Sequence, residues 1–264
     1  MTEAPPTGTL YLVPNTLDFG APGSHCPPLG DALPAGVIRL AARLEHWVVE
    51  NAKSARAFLK RIDAIVPLAR PLQELSIVQL PQVAKGAARN TSGSSTDWQA
   101  LLAPVLAGHD VGLLSEAGLP AVADPGAALV QLAHARGVRV SVSAGPSSLL
   151  LALAASGLNG QGFEFVGYLP TDAAARGGRI RELEAQSRRD GSTRIMIETP
   201  YRNQALFDAL LLHLQPATRL SVSCGLTLAQ GFSRTAEAAH WKAAPLRLPA
   251  DVPAVFLLLA AQGG

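Results

Sequence analysis

Short apolar runs alternate with longer segments of helical pattern through the first part of the chain. Runs without a helical period predict buried strands. The predicted strands are Thr9–Val13, His46–Val49, Ser76–Leu80, Asp110–Leu114 and Val138–Val142. The predicted helices are Val37–Leu44, Ser54–Ile62, Gln99–Ala107, Ala127–Arg136 and Leu149–Ala155. This alternation favours an α/β domain built on a parallel sheet.

The second part of the chain has a less regular pattern. Its predicted strands are Gly162–Gly167, Arg194–Glu198, Arg219–Cys224, Gly231–Thr235 and Ala254–Ala260. The polar region Thr171–Arg194 and the segment Asn203–Leu214 predict helices. Because strands and helices do not alternate strictly here, we expect a mixed sheet. Leu158–Gln161 is the natural boundary, so the sequence predicts two α/β domains, 1–158 and 159–264.

Two loops follow neighbouring strands in the stretch from Asp110 to Ser148. Ser115–Gly126 is rich in small residues, which let a backbone pass close to a ligand, and Asp124 before Pro125 is typical of a helix N-cap. In the second loop, Ala144–Ser148, either final serine suits a helix cap. A right-handed crossover brings both loops to the carboxyl edge of one parallel sheet, where ligands bind. Either loop alone is as often a simple turn.

Composition excludes several classes of protein. The chain has 264 residues, 48% of them hydrophobic and 16% charged, as in ordinary globular proteins. Cys26 and Cys224 form no disulfide framework or metal motif, so no metal is predicted. The start lacks the pattern of a signal peptide and no apolar run is long enough for a membrane span, which predicts a cytoplasmic location. No Gly-x-Gly-x-x-Gly follows Thr9–Val13, which argues against NAD and against the common Rossmann-type methyltransferases.

Cations are grouped at three places, although the net charge of +2 by itself says little about nucleic acid. Lys53, Arg56 and Lys60 fall on one face of a helix, where they form either a solvated face or a set of phosphate contacts. Lys85–Ser95 carries two cations and no acids, and is expected to be a mobile loop that acts as a substrate lid or as plain surface. Thr171–Arg194 carries six arginines against four acids, which predicts a solvated helix, with contact to an RNA backbone as the alternative.

The two loops together resemble the tetrapyrrole methylase superfamily of S-adenosylmethionine (SAM)-dependent methyltransferases. Further segments match this superfamily in the expected order, namely Phe165–Pro170, Ile197–Arg202 and Pro253–Leu258. The most similar branch is the one that methylates ribose 2′-hydroxyl groups of small-subunit ribosomal RNA. Two signatures of that branch are altered, at Pro14–Gly20 and at Glu50–Lys53. Glu116 also replaces the usual aspartate, and Thr199 the usual serine.

The resemblance implies a fold and a set of site residues. SAM would lie in a cleft between the two α/β domains. The residues implied in cofactor binding are Pro14, Ser115, Glu116, Ala117, Gly118, Pro120, Asp124, Pro146, Ser147, Ser148 and Thr199. Glu198, Arg202 and Glu50 would be catalytic, and Lys53 and Arg56 would bind the substrate. Glu198 would receive or orient the proton of the acceptor hydroxyl, or else cap the helix that begins after Pro200.

Three functions remain open at this point. The first is 2′-O-methylation of small-subunit ribosomal RNA, with the RNA or the small ribosomal subunit as partner and the protein as a homodimer. The second is methylation of a ring carbon in a tetrapyrrole, whose carboxylates would suit the same basic residues. The third is a SAM-binding protein without turnover, which the altered segments Pro14–Gly20 and Glu50–Lys53 keep open.

Overall fold

The computed structural model describes residues 7–18, 27–81 and 95–262. The chain divides into two compact units, one up to Pro146 and one from Ser147 onward. The sequence placed the boundary at residue 158. The difference is one helix, Ser148–Ser156, which packs against three strands of the second unit and therefore belongs to it.

The first unit is an α/β domain with a five-stranded parallel sheet. In chain order its elements are β1 (Thr9–Val13), α1 (Leu29–Ala32), α2 (Ala35–Arg43), β2 (His46–Val49), α3 (Ala52–Asp63), β3 (Ser76–Gln79), α4 (Ser95–Leu106), β4 (Val111–Leu114), α5 (Ala127–Ala135) and β5 (Arg139–Val142). The strand order is β3-β2-β4-β1-β5, so β1 lies between β4 and β5. The predicted parallel sheet is confirmed.

The start and the packing of helix α3 follow from its local sequence. Asn51 caps it, since its side-chain oxygen accepts hydrogen bonds from the backbone N–H of Lys53 at 2.8 Å and of Ser54 at 3.4 Å. The helix therefore begins two residues before the predicted Ser54. Its buried residues follow the i, i+3, i+4, i+7 pattern of one helix face and pack on the sheet, at Ala55, Phe58, Leu59 and Ile62.

The start of α5 differs from the prediction. The structure places the N-cap at Gly126, with a φ of +128°, and not at Asp124. The reason lies in the preceding loop, where Ala121 and Ala123 adopt φ values of +65° and +63°. These left-handed residues turn the chain, so that the helix begins only after the turn is complete.

The second unit is an α/β domain with a five-stranded mixed sheet of order β6-β7-β10-β8-β9. Its elements are α6 (Ser148–Ser156), β6 (Phe163–Gly167), α7 (Ala173–Asp190), β7 (Thr193–Ile197), a 3-10 turn (Pro200–Arg202), α8 (Asn203–His213), β8 (Arg219–Cys224), β9 (Phe232–Glu237), α9 (Ala238–Ala243) and β10 (Ala254–Leu259). Strands β6 and β7 are parallel, whereas β10 is antiparallel to β7 and β8. The predicted mixed sheet is confirmed.

Aromatic side chains fill the core of the second unit. Phe207 and Trp241 meet edge to face with their ring centroids 5.4 Å apart, and both are fully buried. The indole N–H of Trp241 donates to the carbonyl oxygen of Leu220 at 2.9 Å, which fixes α9 on β8. Within the described ranges no helix is long and apolar enough to cross a membrane.

Candidate functional site

The carboxyl ends of the first unit's strands carry most of the residues predicted for the cofactor. Pro14 follows β1, Glu50 follows β2 and Ser115 follows β4. Because the strands are parallel, these positions share one edge of the sheet. A crevice at this edge is where open α/β sheets bind ligands.

Asn15 joins the loop after β1 to the loop after β4. Its side-chain amide donates to the carbonyl oxygens of Ser115 at 3.1 Å and Glu116 at 2.9 Å. Its backbone forms an antiparallel bridge with Gly118, with N–O distances of 2.9 and 3.2 Å. Asn15 is only 6% exposed. Four hydrogen bonds from one residue therefore fix the path of the predicted cofactor loop.

Glu50 holds the same loop from the other side. Its carboxylate Oε2 accepts the backbone N–H of Glu116 at 3.0 Å, and its own backbone N–H donates to Leu114 at 3.0 Å. The carboxylate is thus engaged in positioning the first residues after β4. The catalytic role suggested for Glu50 stays a prediction.

The loop after β4 depends on unusual backbone angles. Gly118 has a φ of +69°, and a Cβ there would lie 3.3 Å from Leu17 and 3.5 Å from the carbonyl oxygen of Pro146. Ala121 and Ala123 also lie in the left-handed region, which costs energy for residues with a side chain. Backbone strain of this kind is often found at ligand-binding loops, where the surrounding structure maintains it.

The loop after β5 packs directly on the loop after β1. A Cβ on Gly145 would stand 2.3 Å from the ring of Pro14, so only glycine fits there. Gly118 also approaches Pro146, so the loops after β1, β4 and β5 meet at one edge of the sheet. Pro14, Gly118 and Pro146, all predicted cofactor residues, are neighbours for this reason.

Among the described residues at this edge, Ser115 is a buried polar residue whose hydroxyl group has no hydrogen-bond partner. The residue is 3% exposed, and its hydroxyl oxygen makes no hydrogen bond within the described residues. Buried hydroxyl groups are normally hydrogen-bonded, and an exception needs an explanation. A ligand group at the end of β4 would provide one.

The sequence did not point to Asn15 or Arg61 as site residues. Arg61 of α3 forms an ion pair with the buried Asp18 at 2.8 Å and donates to the carbonyl oxygen of Pro27 at 2.9 Å. It holds both described ends of the loop that follows β1. Asn15 could have been noticed in the sequence, because it stands next to Pro14 at the end of a strand. No feature of the sequence marks Arg61 as a residue that fixes this loop.

The predicted substrate residues lie on α3. Lys53, Arg56 and Lys60 are all exposed, as expected for one solvent-facing stripe. Glu116 is exposed, Ala117 and Asp124 are half-buried, and Pro120 is buried. The predicted basic loop Lys85–Ser95 lies outside the described residues except for its last position, and Cys26 is also outside them.

The second unit holds the remaining predicted residues at two separate points of its sequence. Ser147 is the N-cap of α6 but makes no side-chain capping bond, and Ser148 is the first helical residue. At the end of β7, the buried carboxylate of Glu198 accepts at Oε1 from Thr199 N at 2.8 Å and from Arg202 Nη2 at 2.6 Å. The hydrogen bond that Arg202 donates to Glu198 raises the pKa of Arg202 above its usual value, against a smaller opposing effect of burial.

Glu198 therefore stabilises the 3-10 turn that begins at Pro200. The helix-capping role weighed for Glu198 is not what the structure shows, because the N-caps are Thr199 for the turn and Arg202 for α8, neither with a side-chain capping bond. The catalytic role of Glu198 stays a prediction. Among the described residues no group of His, Cys, Asp or Glu is suited to hold a metal ion. Cys224 is buried, and burial raises the pKa of its thiol.

Comparison with known families decides the class of the chain. The family model described as Tetrapyrrole (Corrin/Porphyrin) Methylases matches residues 52–236, well over half of the chain. The chain belongs to the tetrapyrrole methylase family. The match includes most of the segments on which the sequence resemblance depended, namely Ser115–Gly126, Gly145–Ser148, Phe165–Pro170 and Ile197–Arg202, whereas Pro253–Leu258 lies beyond it.

Three curated relatives of this family member carry the same name. A protein of Pseudomonas aeruginosa named ribosomal RNA small subunit methyltransferase I is 42% identical over 95 residues, which is 36% of this chain and 32% of that protein. Its namesake in Xylella fastidiosa is 38% identical over 39% of this chain and 36% of its own length. The Vibrio cholerae protein is 38% identical over 39% and 35%. The chain thus matches about a third of the length of these relatives.

Solved structures support the fold over nearly the whole chain. A uroporphyrin-III C-methyltransferase from Thermus thermophilus has a TM-score of 0.51 at 17% identity, covering 96% of this chain and 92% of its own. A conserved hypothetical protein from Aeropyrum pernix has a TM-score of 0.59 at 15% identity, covering 98% and 86%. At such identities the likeness concerns the fold alone, which is that of the family.

Proposed function

We propose that this family member transfers the methyl group of SAM to a ribose 2′-hydroxyl of small-subunit ribosomal RNA. The observation that carries the proposal is the 38–42% identity to relatives named ribosomal RNA small subunit methyltransferase I. The geometry of the first unit adds support, because three loops converge where a cofactor is expected.

The residues present fit a cofactor of this kind. The hydroxyl of Ser115 is buried and makes no hydrogen bond within the described chain, so it is ready for a polar ligand group. Gly118 leaves space that a Cβ would restrict against Leu17 and Pro146. Asn15 donates hydrogen bonds to the carbonyl oxygens of Ser115 and Glu116, and Glu50 accepts one from the N–H of Glu116. These bonds fix the loop before any ligand binds.

SAM, when bound, supplies a methyl group on a sulfonium that is already a good electrophile. The protein therefore has to align the acceptor and manage one proton. We assign cofactor contacts in the first unit to Pro14, Ser115, Glu116, Ala117, Gly118, Pro120, Asp124 and Pro146. Ser147, Ser148 and Thr199 are proposed ligands from the second unit.

Glu198 and Arg202 are the proposed groups for the acceptor hydroxyl. Oε1 of Glu198 is already engaged by Arg202 and by the N–H of Thr199. This arrangement suits orienting a hydroxyl better than removing its proton. In the first unit, Lys53 and Arg56 are exposed on α3 and are the proposed phosphate contacts.

Cofactor binding is tested by calorimetry on the full chain with SAM. We expect one site per chain, and about tenfold weaker binding in Asn15→Ala, which removes the donors to two loop carbonyls. Asn159→Ala is the matched control, because Asn159 donates to Gly191 at 2.8 Å and accepts from Gln161 within the second unit. No binding of SAM at millimolar concentration would contradict the proposal.

The acceptor is tested with small ribosomal subunits from cells that lack this gene. We expect labelled methyl groups from SAM to enter the ribosomal RNA, and a new stop in primer extension at low nucleotide concentration. Subunits from cells that carry the gene should accept no further label. Incorporation only into a tetrapyrrole, or into nothing, would overturn the assignment. The predicted homodimer and cytoplasmic location are to be tested by sedimentation and by cell fractionation.

A further inference from the structure

Two tyrosine side chains are exposed at one edge of the second sheet. Tyr168 directly follows β6 and is 37% exposed, and Tyr201 follows β7 and is 73% exposed. Strands β6 and β7 are parallel neighbours in which Gly167 pairs with Met196. Both tyrosines therefore leave the sheet at its carboxyl edge. Large exposed aromatic groups of this kind are characteristic of binding surfaces.

Arg202 lies beside the ring of Tyr201. Its guanidinium carbon is 6.0 Å from the ring centroid of Tyr201. Electrostatic effects of Tyr201 and Tyr168 add to the raised pKa of Arg202, after the larger effect of Glu198, which agrees with both phenols being close by. The Nε of Arg202 is buried without an acceptor in the described chain. The guanidinium thus has a donor left over for a ligand.

The backbone presents Tyr201 rigidly. Pro200 opens the 3-10 turn, and the N–H of Arg202 donates to Thr199 at 2.8 Å. Glu198 fixes both ends of the turn through Thr199 and Arg202. A ring held on a rigid backbone loses little freedom when a partner stacks on it.

We infer that Tyr168, Tyr201 and Arg202 form a stacking surface for an unpaired base of the acceptor RNA. The inference rests on the proposed function and specifies the form of its substrate. Proteins recognise unstacked bases by stacking them on aromatic rings or on guanidinium planes. A base in a duplex is covered by its neighbours, so the acceptor nucleotide is presented in a loop or a single strand. Tyr201, the more exposed ring, carries most of the contact.

The test measures binding of the full-length protein to two labelled probes by fluorescence anisotropy. One probe is a twelve-residue oligoadenylate, and the other is a ribose-phosphate oligomer of the same length without bases. Tyr201→Leu keeps an apolar side chain but removes the ring, and it should bind oligoadenylate roughly tenfold more weakly. Tyr201→Phe keeps the ring and should bind as the parent does. Tyr168→Leu should give a smaller loss.

Phe163→Leu is the matched control, because Phe163 is 45% exposed at the opposite end of β6. It should leave binding to both probes unchanged. The probe without bases should bind the parent and Tyr201→Leu equally. Thermal melting and SAM titration confirm that Tyr201→Leu remains folded.

Two results would overturn the inference while leaving the proposed function intact. One is equal binding of oligoadenylate by Tyr201→Leu and the parent. The other is an equal loss for the probe without bases, which would show a backbone contact. If the parent transfers no methyl group to small ribosomal subunits, the proposed function fails, and the inference that depends on it fails too.

Discussion

The loop after β4 and the turn after β7 both follow buried strands, but they are held in opposite ways. The loop after β4 is fixed by Asn15 and Glu50, which are 100 and 66 residues away in sequence from Ser115 and Glu116. It leaves the Ser115 hydroxyl without a partner in the described chain. The turn after β7 is fixed by contacts among Glu198, Thr199 and Arg202, all within five residues.

This difference separates a loop that depends on side chains far away in sequence from a turn that stabilises itself. A loop held by distant side chains is fixed only once the sheet has formed, and here the Ser115 hydroxyl is left without a hydrogen bond in the described chain. The turn after β7 satisfies its own carboxylate, so it presents neighbouring side chains such as Tyr201 on a stable base. Each prediction below alters one of these arrangements.

The largest expected effect comes from removing the cation of the turn. Arg202→Met leaves the Glu198 carboxylate, whose side chain is 2% exposed, without its ion pair. Breaking a buried pair from one side typically costs about 3 kcal/mol. We expect the free energy of unfolding in urea to fall by about that amount. The double variant Glu198→Gln/Arg202→Met removes the stranded charge and should recover a large part of the loss. A single variant as stable as the parent would show that the pair is not important for the turn.

The next effect tests the strained loop. Gly118→Val places a β-branched side chain at a φ of +69°, close to Leu17 and Pro146, and should cost about 2 kcal/mol or more. SAM binding measured by calorimetry should be lost. Gly137→Val is the matched control, because Gly137 has a similar φ of +66° but open space around it. It should lower stability and leave SAM binding intact. Retained binding in Gly118→Val would move the cofactor site away from this loop.

A smaller effect distinguishes two roles of Glu50. If it positions the loop, Glu50→Gln keeps an oxygen that accepts the N–H of Glu116, and SAM affinity should stay within about threefold. Glu50→Ala removes the acceptor and should weaken SAM binding by about tenfold. A general base would behave differently, since Glu50→Gln would then abolish turnover and remove the acidic limb of the pH profile. The rate of methyl transfer against pH provides this comparison.

Most of the fold was predictable because the strand signal is local. The bounds of β2 and β8 match the predicted His46–Val49 and Arg219–Cys224. Two helices were missed for identifiable reasons. Helix α1 has only four residues and lies between Pro28 and Pro34. Helix α9 is six residues long and is anchored by the Trp241–Leu220 hydrogen bond, which the sequence does not reveal.

The candidate site was predictable only in part. Small residues, glycines and prolines indicated the loops after β4 and β5. These residue types are favoured where the backbone needs unusual angles or passes close to a neighbouring group. The side chains that fix those loops were not predictable. Asn15 meets Ser115 across 100 residues of sequence, and Arg61 meets Asp18 across 43 residues, so no local pattern indicates either contact.

The smallest effect concerns the basic stripe on α3, which begins just after Glu50. Lys53 and Lys60 are exposed there, and if they contact phosphates, RNA affinity should fall steeply with salt. The log–log slope should be about −0.7 for each phosphate contacted on a single strand. Lys53→Ala/Lys60→Ala should therefore flatten the slope by at most about 1.4 and leave SAM binding unchanged.

The matched control for this variant is Lys242→Ala/Arg188→Ala, which removes the same charge from exposed positions of the second unit. A general loss of net positive charge would flatten the slope equally in both double variants, whereas a specific contact affects only the α3 variant. Binding should be measured between roughly 50 and 200 mM salt, where such contacts change affinity most clearly. If both variants keep the parent slope, the stripe is a solvated helix face, and Lys53 and Lys60 do not contact the phosphates of the RNA.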